Sequence, residues 1–174
     1  SEEDVVKKVR KKLEDVHRDT RREIRRLEEE TKKLHDETRK TIETIERRLR
    51  DLRDRLTKEP KDKRVEEKVK KIAEDIERIL RKLRRDHEDY LRRNEEVLKR
   101  LEDKHRKITE ELDRGELDSE EVRDVKEKLK RNLEEARKAS REDLERLKRN
   151  LEKADEDVRR LLEELKRLLD EVRR

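Results

Sequence analysis

A chain of 174 residues with 63% charged side chains, one Gly, one Pro, one Tyr and no Cys, Met, Trp or Phe lies far from ordinary globular usage. The lack of Cys excludes a disulfide framework and thiolate metal sites, and no run approaches the roughly 18 apolar residues of a membrane span. The 57 basic and 52 acidic residues are interleaved, so the net charge of +5 forms no broad basic face for a phosphate backbone, and one aromatic offers no stacking ladder for bases. Charge at this density fits either disorder or long helices that bury one narrow stripe, and the periodicity below decides for helices. No signal peptide is legible, and a chain opening on Ser1 reads as one from which a tag was removed.

The first predicted helix spans about 2–57, opened by a weak capping signal of Ser1 with Asp4. Its stripe falls at 9, 13, 16, 20, 24, 27, 31, 34, 38, 42, 45 and 49, always in steps of three or four. Val9 to Leu27 is eighteen residues in five steps, and Leu27 to Ile45 repeats it. That period is 3.6 residues per turn, whereas a heptad period of 3.5 imposes a left-handed supercoil. A nearly untwisted bundle follows. Thr41 and Thr44 fit a core or a surface position equally.

The only proline, Pro60 in "TKEPKD", suits the first turn of a second helix over about 60–114. Its stripe runs through Val65, Val69, Ile72, Ile76, Leu80, Leu83, His87, Leu91, Asn94, Val97, Leu101, His105, Ile108 and Leu112. The only glycine, Gly115 in "DRGELDSEE", reads as the left-handed residue after the helix end, with Leu117 packing back over it. Asp118 then caps a third helix over about 119–174, with Glu121 in capping-box spacing. Equal lengths and short loops predict one all-α domain over 1–174: a long, straight, antiparallel up-down-up three-helix bundle with an 18-residue, 3.6-period core repeat. Natural spectrin-like repeats share that topology but carry core aromatics and irregular loops, which this chain lacks.

Polar residues repeat with the same period. "LKRNLEEA" (129–136) returns as "LKRNLEKA" (147–154), placing Asn132 and Asn150 eighteen apart; His17 and His35 are eighteen apart, as are His87 and His105. In an antiparallel pair, facing residues have numbers of constant sum. His17 with His105 and His35 with His87 both sum to 122; His105 with Asn132 and His87 with Asn150 both sum to 237. Two layers are thereby predicted, one of His17, Thr20, His105 and Asn132, the other of His35, Thr38, His87 and Asn150. They would lie about 27 Å apart, too far for one site. Ala136 and Ala154 facing Leu101 and Leu83 leave room beside them. Asn offers two donors and one acceptor and neutral His one of each, so each cross-section can satisfy itself. A middle set is also predicted: Asn94 and Asp143 again sum to 237, Thr31 falls near Tyr90, and Ser140 falls opposite Val97.

On these features, the 18-residue repeat, the Glu/Lys/Arg-filled surface, "DRGELDSEE" and the duplicated "LKRNLE", the whole chain resembles de novo designed, parametrically generated helical bundles with buried hydrogen-bond networks. The resemblance implies no natural biochemical function, a soluble product that stays in the cytoplasm of an expressing cell, and, in a subset with buried histidine networks, disruption by acid. His17, His35, His87 and His105 would carry that response. Members of the subset are often helical hairpins that oligomerise, and one three-helix chain departs from that pattern.

Two readings stand side by side: a pH-responsive bundle and a scaffold in which the polar layers only fix register. A metal reading is weaker, since two His per layer lack an HxxxH pair and a core carboxylate, and Asn is a poor zinc ligand; no metal and no cofactor is expected. A partner helix or self-association is the remaining reading, from wide apolar stripes such as "RLLEELKRLL" (160–169). Catalysis and nucleic-acid binding are not expected: no nucleophile sits beside a base, and no Gly-rich phosphate loop exists.

Overall fold

The computed structural model describes residues 1–58, 63–115 and 119–174. These form three α-helices: α1 (Glu2–Lys58), α2 (Lys63–Arg114) and α3 (Glu120–Arg173). The predicted roles of Pro60, Leu117 and Asp118 lie outside the described residues. Gly115 follows α2 in a turn. At the start of α1 the Asp4 N–H donates to Ser1 Oγ at 3.3 Å, and the two side chains hydrogen-bond at 2.9 Å. α3 begins one residue later than the sequence suggests, because Ser119 caps it: Ser119 Oγ accepts from the Val122 N–H at 3.3 Å, and its carbonyl accepts from Arg123 at 3.1 Å.

The chain divides into two compact units, each holding a segment of all three helices. One comprises Ser1–Thr31 and Tyr90–Glu145, the other Lys32–Asp89 and Arg146–Arg174. The core of the first is built from Val6, Val9 and Val16 of α1, Ile108 and Leu112 of α2, and Val122, Val125 and Leu129 of α3. In the second, Ile45 and Leu49 meet Val69 and Ile76 and, from α3, Val158, Leu161 and Leu165. The valine-rich first core and leucine-rich second core both follow the three-or-four spacing. That spacing keeps one face of a 3.6-residue helix apolar.

Ion pairs between helices share a register of their own. Along α1 and α2, Lys12–Glu111 (2.6 Å), Asp19–Lys104, Glu23–Arg100 (2.6 Å) and Glu30–Arg93 (3.0 Å) in the first unit, and Arg48–Asp75 (2.9 Å) in the second, all sum to 123. Along α2 and α3, Asp113–Lys126 and Glu102–Arg137 in the first unit, and Arg84–Asp155 and Glu66–Arg173 in the second, all sum to 239. These sums differ by only one or two from the core sums, so the charges flank the apolar seam. Sliding α2 by about two turns would bring Glu111 against Asp19, a like-charge contact. Each exposed pair contributes only about 0.2–1 kcal/mol, so their effect lies in excluding other registers.

Leu91 and Glu23 depart from the sequence reading. Leu91, assigned to the α2 stripe, is 40% exposed, and Tyr90 fills the core in its place. The steps from Leu83 through His87 and Tyr90 to Asn94 are four, three and four, which also satisfies the period. Glu23, unassigned by the sequence, is 5% exposed and bonded to Arg100. No helix among the described residues is long and apolar enough to cross a membrane. Leu112→Ala should cost about 2–5 kcal/mol in denaturant unfolding, and Leu91→Ala no more than about 0.5 kcal/mol.

Candidate functional site

The first unit contains one polar layer, with Asn132 of α3 at its hub. The α2 stripe places His105 one turn after Leu101, so its Nδ1–H donates back to the Leu101 carbonyl at 2.6 Å. The remaining ring nitrogen, Nε2, is then an acceptor, and Asn132 Nδ2–H donates to it at 2.8 Å. The second Nδ2 hydrogen of Asn132 goes to Thr20 Oγ1 at 3.0 Å, and the Thr20 hydroxyl donates to the Val16 carbonyl at 2.7 Å. Asn132 Oδ1 accepts from His17 Nδ1–H at 2.9 Å, and His17 Nε2 accepts from Arg21 at 2.9 Å. One assignment of protons, with both histidines neutral, satisfies every member.

The second unit repeats the cassette with a looser hub. His87 Nδ1–H donates to the Leu83 carbonyl at 2.7 Å, Asn150 Nδ2–H donates to His87 Nε2 at 3.1 Å, and Asn150 Oδ1 accepts from His35 Nδ1–H at 2.7 Å. Thr38 donates to the Leu34 carbonyl at 2.7 Å, and among the described residues no hydrogen bond joins it to Asn150. Asn150 is only half-buried, whereas Asn132 is buried, so its second Nδ2 hydrogen needs no protein partner.

Burial also divides the histidines. The sequence reading places all four in buried layers, but only His87 and His105 are buried; His17 and His35 are exposed. The reason is angular. His87 and His105 stand on the α2 stripe, whereas His17 and His35 each follow a stripe residue, Val16 or Leu34, and so sit about 100° around the helix from the seam. Thr41 is half-buried, and Thr44 is exposed with its hydroxyl on the Lys40 carbonyl at 2.9 Å.

The middle set lies wholly within the first unit and is buried throughout. The Thr31 and Tyr90 hydroxyls hydrogen-bond at 2.8 Å, and both reach the Leu27 carbonyl, at 2.8 and 3.2 Å. Ser140 Oγ donates to Asn94 Oδ1 at 2.5 Å. Asp143 is buried as well.

Electrostatics follow from this placement. Burial pushes the His105 imidazole below its ordinary value near 6.5; the Leu101 carbonyl opposes the shift and the Arg137 charge adds to it. Burial likewise raises the Tyr90 phenol above 10.0, against the Thr31 and Asn94 side chains and with the help of Asp143 and Glu30. For Asp19, burial acts upward, but the Lys104 and Arg22 hydrogen bonds outweigh it and hold the carboxyl below 3.8. Among the described residues, no group of three or more His, Cys, Asp or Glu side chains is placed to hold a metal ion.

No protein-family model matches the chain, and no curated protein does. Among solved structures it is similar to a computationally designed three-helix bundle, with a TM-score of 0.60 and 19% identity over 98% of this chain and 90% of that one. At that identity the likeness speaks for the fold. Asn132→Ala should cost about 1–3 kcal/mol in denaturant unfolding by stranding His105 Nε2 and Thr20, and adding His105→Leu should recover part of the loss, since no unpaired acceptor is then left on α2. The chain is an all-helical three-helix bundle with buried His–Asn hydrogen bonds, similar in fold to a designed one.

Proposed function

We propose that this chain is a designed, non-enzymatic scaffold in which the two His–Asn layers specify how three helices align. One observation carries the reading: Asn132 of α3 bonds simultaneously to His17 and Thr20 of α1 and to His105 of α2. A one-turn slip of any helix, about 5.4 Å, would strand buried donors and acceptors. Residues 1–174 are taken as one folding domain. The near-ultraviolet signal of Tyr90 and the helical circular dichroism should then be lost in one coincident transition; two separated transitions would refute a single domain.

An acid response is the second reading, favoured by the acceptor role of His105 Nε2. A proton there creates a second donor facing Asn132 Nδ2–H, beside Lys130 and Arg137 of α3 and Arg106 of α2, with Glu102 paired to Arg137 and Asp103 to Arg106. His87 has the same geometry toward Asn150. By contrast, a proton on exposed His17 or His35 keeps the Nδ1–H bond to the asparagine and opposes only a surface arginine at most. Because the folded His105 pKa lies below 6.5, its stabilisation is complete above that value and is lost as pH falls through it. For His105 the loss is at most about 1.4 kcal/mol per pH unit.

Circular dichroism and light scattering from about pH 8 to about pH 4, with denaturant unfolding at each pH, test both readings. A scaffold stays helical and loses only unfolding free energy in acid; a switch loses helix or changes mass. The double variant His87→Asn, His105→Asn should flatten the pH dependence, while His17→Asn, His35→Asn should retain it. Equal effects of the two doubles would refute the division of roles between buried and exposed histidines.

A further inference from the structure

Neither layer accounts for a buried donor in the middle of the first unit. Asn94 is 1% exposed and receives the Ser140 hydroxyl on Oδ1, but its Nδ2 meets no acceptor among the described residues. The amide influences the Tyr90 phenol one turn back on α2, yet it forms no hydrogen bond of sound geometry to it. Buried amide hydrogens are seldom left in this condition. Beside Asn94 is a cavity of about 10 Å³, lined by Ser140 and Asp143 of α3 and otherwise by apolar groups such as Leu101, Val97 and Ala136. That size matches one water molecule and excludes any larger ligand. Apolar cavities stay dry, whereas a cavity with several polar partners binds water.

We infer that this cavity binds one structural water. The water accepts a hydrogen bond from Asn94 Nδ2–H, and its two protons reach the Asp143 carboxylate and the Ser140 hydroxyl oxygen. Three bonds is the usual complement of a buried water. The assignment does not depend on which way the Asn94 amide is turned, because water is both donor and acceptor and serves the nitrogen or the oxygen at that place. The role is structural: the water joins α2 to α3 where direct side-chain contact leaves a gap, and it completes the middle polar set as asparagine completes the layers.

The test is water–protein cross-relaxation by NMR on the labelled full-length chain, paired with a high-resolution crystal structure. Long-lived water cross-peaks are expected at the Asn94 side-chain amide and the Ala136 methyl, with density for one water in the cavity. Asn94→Leu, which fills the cavity, should abolish the Ala136 cross-peak while helical circular dichroism is unchanged. If that variant loses helix, the parent measurement decides alone. Absent cross-peaks in the parent, or an empty cavity with Nδ2 donating to Tyr90 Oη, would overturn the inference.

Discussion

A primary amide in a helical core carries two donors and one acceptor that water no longer serves, and Asn132 meets all three by reaching outward to both neighbouring helices. The rest of the first unit's layer follows from that requirement. Asn132 Oδ1 can only accept, which makes His17 Nδ1 a donor. Its Nδ2 can only donate, which makes His105 Nε2 an acceptor and sends the His105 proton to the Leu101 carbonyl. Thr20 accepts from the amide and discharges its own proton on Val16. Ala136 one turn away keeps the bulk of the layer within the bundle. Packing alone tolerates many leucine exchanges, whereas a polar layer whose buried donors and acceptors all pair is disturbed by a change in any one member.

The repeated cassette does not produce identical layers. Asn150 keeps the two histidine bonds but lacks the Thr38 bond and is partly open. An open amide has water as an alternative partner, so its protein bonds contribute less specificity than those of Asn132. The same distinction separates the histidines within each layer. His105 and His87 are held on both ring nitrogens inside the core, and His17 and His35 close the circuit from outside. Four residues of one type thus hold two kinds of position, one buried in the core and one exposed at its edge.

Charged pairs work at a different level. Apart from Lys8–Glu111, the numbers of the α1–α2 pairs sum to 123, and those of the α2–α3 pairs sum to 239, each close to the corresponding sum for the polar layers. Surface pairs of this kind add little stability singly, but their signs reverse along α1, from Lys12 to Asp19, Glu23 and Glu30. Only one alignment then satisfies all of them. Glu23 is the exception in burial: its carboxylate is shielded from water, and Arg100 of α2 at 2.6 Å, with Arg26 at 3.9 Å on its own helix, pairs its charge.

The sequence by itself determined the helices, their ends to within a few residues and their three-helix arrangement. A 3.6-residue stripe and two short breaks in 174 residues admit little else. Numbering also made legible which histidine can meet which asparagine, because an antiparallel register reduces to a constant sum. Burial was decided only by tertiary structure. Whether Tyr90 or Leu91 enters the core, whether Glu23 or Ile24 is the deeper residue, and how far His17 turns outward depend on how each helix is rotated about its axis. A rotation of one residue step, about 100°, leaves the periodicity intact. The proton arrangement of the layers was likewise decided in three dimensions, since an imidazole's tautomer is set by the carbonyl behind it and the amide before it, and those two partners come from different helices.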